Sequence, residues 1–173
     1  MELKGVNIAL FIADLYEDLE YWYPRIRMEE AGAAVTSIGP EAGSYRGKHG
    51  LSAEAEKGIA DVNVEDYSAL IIPGGYAPDR MRRSGDMVSF VREMNSREAV
   101  IGTICHGPWM LASAEIVKGR ELTSFFSIKD DLVHAGAVWK DREVVRDGNL
   151  ITSRKPDDLP AFCRTLIDSI KRD

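Results

Sequence analysis

The stretch "AVIGTICHGPWMLASAEIV", residues 99–117, joins a short apolar strand to a helix. Its first six residues, Ala99 to Ile104, form a run that is typical of a strand buried on both faces. Pro108 suits the first turn of the helix, where a missing N–H leaves no hydrogen bond unmade. Cys105 and His106 therefore stand at the bend between strand and helix. A bend of this kind pushes a side chain out over the edge of a sheet.

The rest of the chain repeats this alternation of apolar strands and amphipathic helices. The hydrophobic pattern predicts further strands over residues 6–13 and 34–39 and within 67–75, where the strand stops at Pro73. It predicts helices over residues 18–33, 84–98, 127–136 and 156–173. Residues 44–62 are predicted as extended pieces at an edge, and residues 143–153 as a hairpin that turns at Asp147-Gly148 or Gly148-Asn149. Repeated strand–helix units predict an α/β fold in which a mainly parallel sheet carries helices on both faces.

The composition limits the classes of partner. The 173 residues suit one domain, 1–173, and a net charge of −6 disfavours nucleic acid or an anionic membrane, because phosphate binding needs a concentrated basic surface. A neutral or polar small substrate fits this charge better. No apolar run reaches the roughly 18 residues of a spanning helix, and acidic residues follow the first strand where a secretory signal would need small ones. We therefore expect a cytoplasmic protein.

Neither a metal nor an organic cofactor is predicted. The two cysteines and three histidines lack the spacing of a metal site or a disulfide framework, so Cys105 and Cys163 are expected as free thiols. The residues "ADLYEDLE" follow the first strand where a dinucleotide-binding protein carries glycines. His49 and His134 have no evident partner in the sequence, and we interpret both as surface or structural residues.

Candidate catalytic groups follow three predicted strands, whose carboxyl ends share the edge where ligands bind. Cys105 is either a nucleophile, its thiolate stabilised by the helix N-terminus, or a small core residue. His106 either relays a proton or faces solvent. Glu17 either holds a proton for the sulfur anion and lowers the thiol pKa, or caps a helix. Gly75 and His106 could offer two N–H groups to an oxyanion, or Gly74-Gly75 could simply end a strand.

Six segments of the chain carry a family resemblance. They are "YEDLEYWYP", "GKHG", "LIIPGGYAPDRMR", "ICHGPWML", "GRELTSFFSIKDDLVHAGAVW" and "VVRDGNLITSRKPDDLPAF", and they extend from the first strand to the last helix. In order and spacing they resemble the ThiJ/PfpI family of the class I glutamine amidotransferase-like superfamily, and within it the PfpI branch of intracellular proteases. The resemblance implies a flavodoxin-like three-layer α/β/α sandwich with a nucleophile elbow.

The resemblance also implies roles for residues at the strand ends. Cys105 would be the nucleophile, Glu17 the protonated carboxyl group that hydrogen-bonds the thiolate, and His106 the proton carrier. The N–H groups of Gly75 and His106 would hold the oxyanion, with Gly74 beside them in the substrate region.

Two further positions come from the same resemblance. In this branch an acidic residue after the "PGG" turn reaches the cysteine–histidine pair of a neighbouring subunit. The matching residue is Asp79, one methylene shorter than the usual glutamate. Phe125 stands in the substrate region where the branch often has tyrosine, so that hydroxyl group is absent. Dimers that assemble into hexamers are expected.

The function implied is a cysteine hydrolase that cleaves small peptides or amides through a thioester. The alternative is a glyoxalase or protein deglycase that acts on methylglyoxal-type aldehydes or glycated side chains. A third reading, from another class, is a redox or stress-responsive protein whose exposed thiol is oxidised rather than turning over substrate.

Overall fold

The centre of the molecule is a seven-stranded sheet with helices on both faces. A computed structural model of the chain describes residues 1–171. The strands there are β1 (Asn7–Phe11), β2 (Ala34–Gly39), β3 (Gly43–Arg46), β4 (Ser52–Ala55), β5 (Lys57–Gly58), β6 (Ala69–Ile72), β7 (Val100–Ile104), β8 (Glu121–Leu122), β9 (Val138–Trp139), β10 (Val144–Asp147) and β11 (Leu150–Ser153). The α-helices are α1 (Asp18–Glu30), α2 (Ala77–Met81), α3 (Gly85–Ser96), α4 (Pro108–Ser113), α5 (Lys129–His134) and α6 (Leu159–Ile170).

Six strands of the main sheet run parallel, in the order β11, β7, β6, β1, β2 and β5, and β10 pairs antiparallel with β11. The predicted mainly parallel sheet is therefore confirmed. The chain passes from β1 to β2 on one side and later to β6 on the other, so the winding reverses between β1 and β6. In open α/β sheets ligands bind beyond the carboxyl ends of the strands beside such a reversal. This places the binding edge at the ends of β1, β6 and β7.

The helices form a layer on each side of the sheet. Helix α1 packs against α6, which also contacts β7 and β11. Helix α3 contacts β6 and β7 and packs against α4, and α4 in turn contacts α2 and α5. Strands β1 and β6 are apolar along most of their length because both of their faces are covered. The predicted three-layer α/β/α sandwich is confirmed. Within residues 1–171, no helix combines the length and the apolar character needed to cross a bilayer.

Several predicted elements are shorter than their sequence patterns. The strand predicted within residues 67–75 begins later than its pattern, at Ala69, and it ends at Ile72, as the prediction that it stops at Pro73 requires, because Pro73 has no N–H to donate to a neighbouring strand. The predicted edge segment 44–62 contains an antiparallel hairpin, β3 and β4, and the short strand β5 at the edge of the main sheet. The predicted hairpin over residues 143–153 is confirmed, with Gly148 and Asn149 between its strands.

The predicted C-terminal helix begins later than the pattern indicated. Residues Pro156–Asp158 form a separate 3₁₀ turn before α6. Residues 172 and 173 of the predicted helix and of the predicted domain lie outside the described residues. The elements α2, β8 and β9 were not predicted, because two to five residues carry too little periodicity to identify.

We expect Gly107→Ala to destabilise the fold. A Cβ atom at Gly107 would lie 2.0 Å from Oγ1 of Thr103 and 2.8 Å from the carbonyl oxygen of Ile72. Part of this contact is backbone, which relaxes little, so the free energy of unfolding should fall by about 3 kcal/mol. Chemical denaturation at one fixed protein concentration measures the change. Gly85→Ala is the matched control, because no atom lies within 4 Å of its added Cβ. Equal stability of the two variants would contradict the prediction.

Candidate active site

Cys105 lies at a sharp bend between β7 and α4. Its φ angle is 63°, in the left-handed region, which costs a residue with a side chain about 1–2 kcal/mol. Two backbone hydrogen bonds hold the residue there. Its N–H donates to the carbonyl oxygen of Ser153 at 3.1 Å, and its carbonyl oxygen accepts from the N–H of Phe125 at 2.9 Å. The bend is the predicted nucleophile elbow, and it directs the thiol to the carboxyl end of the sheet.

The thiol of Cys105 is surrounded by hydrogen-bonding groups. Its Sγ atom lies 3.2 Å from Nδ1 of His106. The backbone N–H groups of Gly75 and His106 lie close enough to the sulfur to lower the pKa of the thiol. Cys105 is only 9% exposed. It borders a cavity of about 320 Å³ whose other lining residues are Glu17, Glu20, Lys48, Gly75, Tyr76, His106, Phe125 and Pro156.

Glu20 is the carboxylic acid that faces this thiol. It is fully buried in the first turn of α1, and its Oε2 atom accepts a hydrogen bond from the N–H of Gly74 at 2.8 Å. The other oxygen, Oε1, is buried without a conventional hydrogen-bond partner, and the carboxyl group interacts with the Cys105 thiol. Burial raises the pKa of Glu20 to about 8, and the negative charge of Glu17 contributes in the same direction. Glu20 is therefore mostly protonated at neutral pH.

Gly74 allows the acid and the thiol to approach each other. A Cβ atom on Gly74 would lie 2.5 Å from Oε2 of Glu20 and 2.7 Å from Cβ of Cys105. Both distances are far below van der Waals contact, so any side chain at this position would push the two groups apart. The glycine pair does end a strand, as one reading of the sequence held, but it also makes room for the site.

The predicted contact between Glu17 and the thiol is wrong, because Glu20 occupies that place. Glu17 is the N-cap of α1, where its Oε1 atom accepts from the N–H of Leu19 at 3.4 Å. Its Oε2 atom lies 2.9 Å from Nζ of Lys48 and 3.2 Å from Nε2 of His49. A capping side chain bends back over its own helix end. Glu20, three positions later, is instead buried and accepts a hydrogen bond from the N–H of Gly74. Glu17 thus lines the cavity without touching the sulfur.

Ionisation of the thiol also differs from the prediction of a lowered pKa. Burial raises the pKa of the Cys105 thiol, and a charged Glu20 raises it further, while the N–H groups of Gly75 and His106 act in the opposite direction. Burial and the positive charge of Lys48 lower the pKa of His106. At neutral pH the site therefore holds a thiol, a neutral imidazole and a protonated carboxyl group. Attack by sulfur requires its proton to move, and Nδ1 of His106 is placed to accept it.

A loop held by backbone hydrogen bonds brings Lys48 to the cavity and His49 to Glu17. The buried carboxylate of Asp18 accepts hydrogen bonds from the N–H groups of His49 and Leu51, both at 2.9 Å. The N–H of Lys48 donates to the carbonyl oxygen of Tyr16 at 2.9 Å. The ion pair with Glu17 raises the pKa of Lys48. The loop therefore brings a firmly charged ammonium group to the cavity.

Known proteins resemble this chain along nearly its whole length. Residues 6–169 match the DJ-1/PfpI family. The chain belongs to the DJ-1/PfpI family. It is 41% identical to the deglycase PfpI of Pyrococcus furiosus over 166 residues, which cover 96% of this chain and 100% of that protein. It is 42% identical to YraA of Bacillus subtilis, whose name describes a candidate cysteine protease, with 95% of this chain and 98% of that protein covered.

Solved structures of the DJ-1/PfpI family show the same fold. DJ-1beta of Drosophila melanogaster superposes with a TM-score of 0.90 at 26% identity, covering 97% of this chain and 91% of that one. A two-domain protein of Anabaena variabilis, with DJ-1/ThiJ/PfpI-like and ferritin-like domains, has a TM-score of 0.93 at 36% identity. The match covers 95% of this chain and 48% of that protein, so the present chain spans about half of its length. The resemblance found in the sequence is confirmed.

The remaining predicted residues of this DJ-1/PfpI protein lie in different places. Phe125 lines the cavity and stacks on the ring of His106, with ring centroids 5.4 Å apart. Asp79 lies on α2, where its carboxylate pairs with Arg83. The second ring nitrogen of His106, Nε2, lies 3.2 Å from Oγ of Ser127. His134 is exposed on α5.

The sequence did not point to Glu20 and Lys48, which line the cavity, or to Ser127, which contacts His106. The sequence does contain a feature that could have identified Glu20. It is an acid among the aromatic residues of "LEYWY", in the first turn of a helix that follows a central strand. Lys48 lies in the glycine-rich segment that the family resemblance included as "GKHG". The hydroxyl group of Ser127 had no signal, because its partner is 21 residues away.

We expect Glu20→Gln to speed the alkylation of Cys105 by iodoacetamide at pH 9. In the wild type Glu20 is charged above pH 8 and opposes formation of the thiolate, whereas glutamine is neutral. Removing a close like charge shifts a pKa by at least one unit, so the rate should rise about tenfold. The difference should shrink below pH 7, where wild-type Glu20 holds its proton. Mass spectrometry of the labelled peptides measures both rates.

Glu17→Gln serves as the control in this experiment, because Glu17 does not touch the sulfur and the variant should stay within about threefold of wild type. Cys163 is an internal reference, since it is 1% exposed and burial raises its pKa to about 12. It should label far more slowly than Cys105 in every variant. A larger effect from Glu17→Gln than from Glu20→Gln would contradict the assignment.

Proposed function

We propose that this protein acts on small carbonyl compounds as a thiol-dependent deglycase, with Cys105 as the nucleophile. The observation that carries the proposal is the position of the Cys105 thiol between a neutral base, His106, and a protonated acid, Glu20. A cavity of about 320 Å³ suits a small adduct such as one derived from methylglyoxal. The deglycase name of the Pyrococcus furiosus relative supports the same reading.

The first step joins sulfur to the aldehyde carbon of a 2-oxoaldehyde. The thiol proton passes to Nδ1 of His106 and then to the carbonyl oxygen, which gives a hemithioacetal. When the same carbon is already bonded to an amine, sulfur displaces the amine, and the amine leaves with the proton from His106. In this proposal the N–H groups of Gly75 and His106, which lower the pKa of the thiol in the resting site, bind the oxygen as its negative charge develops.

The second step moves hydrogen between the two carbons of the adduct. Neutral His106 removes the proton from the former aldehyde carbon, and Glu20 delivers its own proton to the neighbouring carbonyl carbon. The hydroxyl proton passes between the two oxygens, which leaves a thioester of lactate on Cys105. His106 then returns its proton to Glu20, and water hydrolyses the thioester to lactate and free thiol. Every proton that leaves one group is accepted by another.

Lys48 supplies the positive charge in the cavity. Its ammonium group is a third exposed and lies beside Glu17, so it partly neutralises the carboxyl groups around the thiol. A cation at this place favours the anionic oxygens that form during addition and the lactate carboxylate that is released. It also keeps His106 neutral, as its first proton transfer requires.

A cysteine peptidase, placed first by the sequence reasoning, is the second candidate. One observation favours it: a second cavity of about 440 Å³ adjoins the first and shares Phe125 with it. Together the two cavities offer more room for a peptide than the first cavity alone. In that reaction sulfur attacks the peptide carbonyl, the amine leaves with the proton from His106, and water hydrolyses the thioester.

A neighbouring copy of the chain belongs to the proposal as well. Asp79 is about half exposed, and the Arg83 side chain that pairs with it is exposed too, so its carboxylate is accessible. We also propose that the Asp79 carboxylate faces the cysteine–histidine pair of another subunit. Such an arrangement makes activity depend on assembly.

We expect the purified protein to release lactate from methylglyoxal and from methylglyoxal-treated N-acetyl-lysine. Cys105→Ala should lower the rate at least about 100-fold, because the covalent step is lost. Cys163→Ala is the matched control and should keep the wild-type rate, since Cys163 is buried in α6. A fluorogenic peptide assayed in parallel tests the second candidate. Turnover of neither substrate class would overturn the proposed function.

We expect kcat/KM to have a bell-shaped pH dependence. It should fall above about pH 8, where Glu20 loses the proton that it donates. It should also fall in acid, at a pH below the ordinary imidazole value, because the pKa of His106 is lowered. Glu20→Gln should lose about 100-fold in rate and also lose the alkaline limb. A variant that keeps both the rate and the limb would show that Glu20 donates no proton.

A further inference from the structure

Both ring nitrogens of His106 have partners in the chain. Nδ1 lies 3.2 Å from Sγ of Cys105, and Nε2 lies 3.2 Å from Oγ of Ser127. Aromatic rings fix the plane of the imidazole: Phe125 stacks on it at 5.4 Å between centroids, and Trp109 meets it edge-on at 5.2 Å. The ring is therefore held in one plane with its two nitrogens aimed at a thiol and a hydroxyl group.

Ser127 is linked through the backbone to the nucleophile. It lies in the 3₁₀ turn Phe126–Ile128, which follows directly after Phe125. The N–H of Phe125 donates to the carbonyl oxygen of Cys105, and the side chain of Ile128 is buried at 2% exposure. The hydroxyl group of Ser127 thus keeps its place relative to Cys105 although Ser127 itself is exposed.

The partner of Nε2 decides which nitrogen of a neutral imidazole can accept a proton. A neutral ring has one N–H donor and one lone-pair acceptor. When Nε2 carries the hydrogen and donates it to Oγ of Ser127, the lone pair on Nδ1 faces the thiol of Cys105. In the opposite tautomer, Nδ1 carries the hydrogen and cannot take the thiol proton.

We propose that Ser127 is a positioning residue, whose hydroxyl group accepts the Nε2–H of His106 and thereby keeps the Nδ1 lone pair directed at Cys105. This inference rests on the proposed function, because it assigns the orientation of the base in that reaction. A hydroxyl group suits a base that starts neutral, since it carries no charge to stabilise an imidazolium. Besides Cys105 and His106, the charged or titratable residues that line this cavity are Glu17, Glu20, Lys48 and Tyr76.

The test compares Ser127→Ala with Ser127→Thr, which retains the hydroxyl group. Ser96→Ala is the matched control, because the Ser96 hydroxyl also makes a hydrogen bond, to the carbonyl oxygen of Arg92 at 3.0 Å, but on the distant helix α3. Steady-state kinetics with methylglyoxal gives kcat and KM separately. Two-dimensional 15N NMR of the imidazole rings, recorded without substrate, identifies the tautomer of His106.

We expect Ser127→Ala to lower kcat about tenfold while KM stays within about twofold, because the base is misoriented and the binding cavity is intact. Its NMR spectrum should show a mixture of tautomers where the wild type shows the Nε2–H form. Ser127→Thr should restore kcat to within about twofold of wild type, and Ser96→Ala should leave both readouts unchanged. Circular dichroism confirms that each variant folds.

Two results would overturn the inference. The first is a Ser127→Ala protein with the wild-type tautomer and the wild-type kcat. The second is a tautomer that changes in Asp79→Asn but not in Ser127→Ala, which would show that a neighbouring subunit holds Nε2 instead. Because the NMR measurement needs no turnover, it decides the role of Ser127 even if the protein fails to act on methylglyoxal and the proposed function falls.

Discussion

The site depends on a close contact between a buried carboxylic acid and a buried thiol, which meet across a residue without a side chain. Gly74 donates its N–H to Glu20 and leaves room for Cys105 on the same side. Two acidic groups this close, and this far from water, cannot both ionise at neutral pH. Their shared preference for the neutral state determines which proton moves when sulfur attacks.

The backbone, rather than flexible side chains, positions the acid and the thiol against each other. The acid follows the central strand β1, the glycine follows β6 and the thiol follows β7, so three strands deliver the three groups to one edge. The strained φ of Cys105 persists because hydrogen bonds to Ser153 and Phe125 hold the residue from both sides. Such a site is preorganised, because little of it has to move before reaction.

The charge state of the site suits addition to a carbonyl group. A site that relied on a permanent thiolate would need an imidazolium or another cation against the sulfur. Here the nearest ring is neutral, and the ammonium group of Lys48 is engaged by Glu17. Members of one family carry the names of a deglycase and of a candidate protease. A thiol, an acid and an imidazole in this arrangement suit the chemistry of either reaction, so the fold alone does not assign one.

The sequence by itself determined the α/β class, the mainly parallel sheet, the hairpin near the C-terminus and the position of Cys105-His106 at a strand end. These features follow from the spacing of apolar residues, which is a local property of the chain. Only the tertiary structure decided that Glu20 rather than Glu17 faces the thiol, and that burial raises the thiol pKa where the helix end alone suggested a lower one. The first outcome depends on which side of α1 faces the sheet, and the second on how completely distant segments exclude water from the sulfur. The spacing of neighbouring residues predicts neither the orientation of α1 nor the burial of the sulfur, because both arise from contacts between parts of the chain that are far apart in sequence.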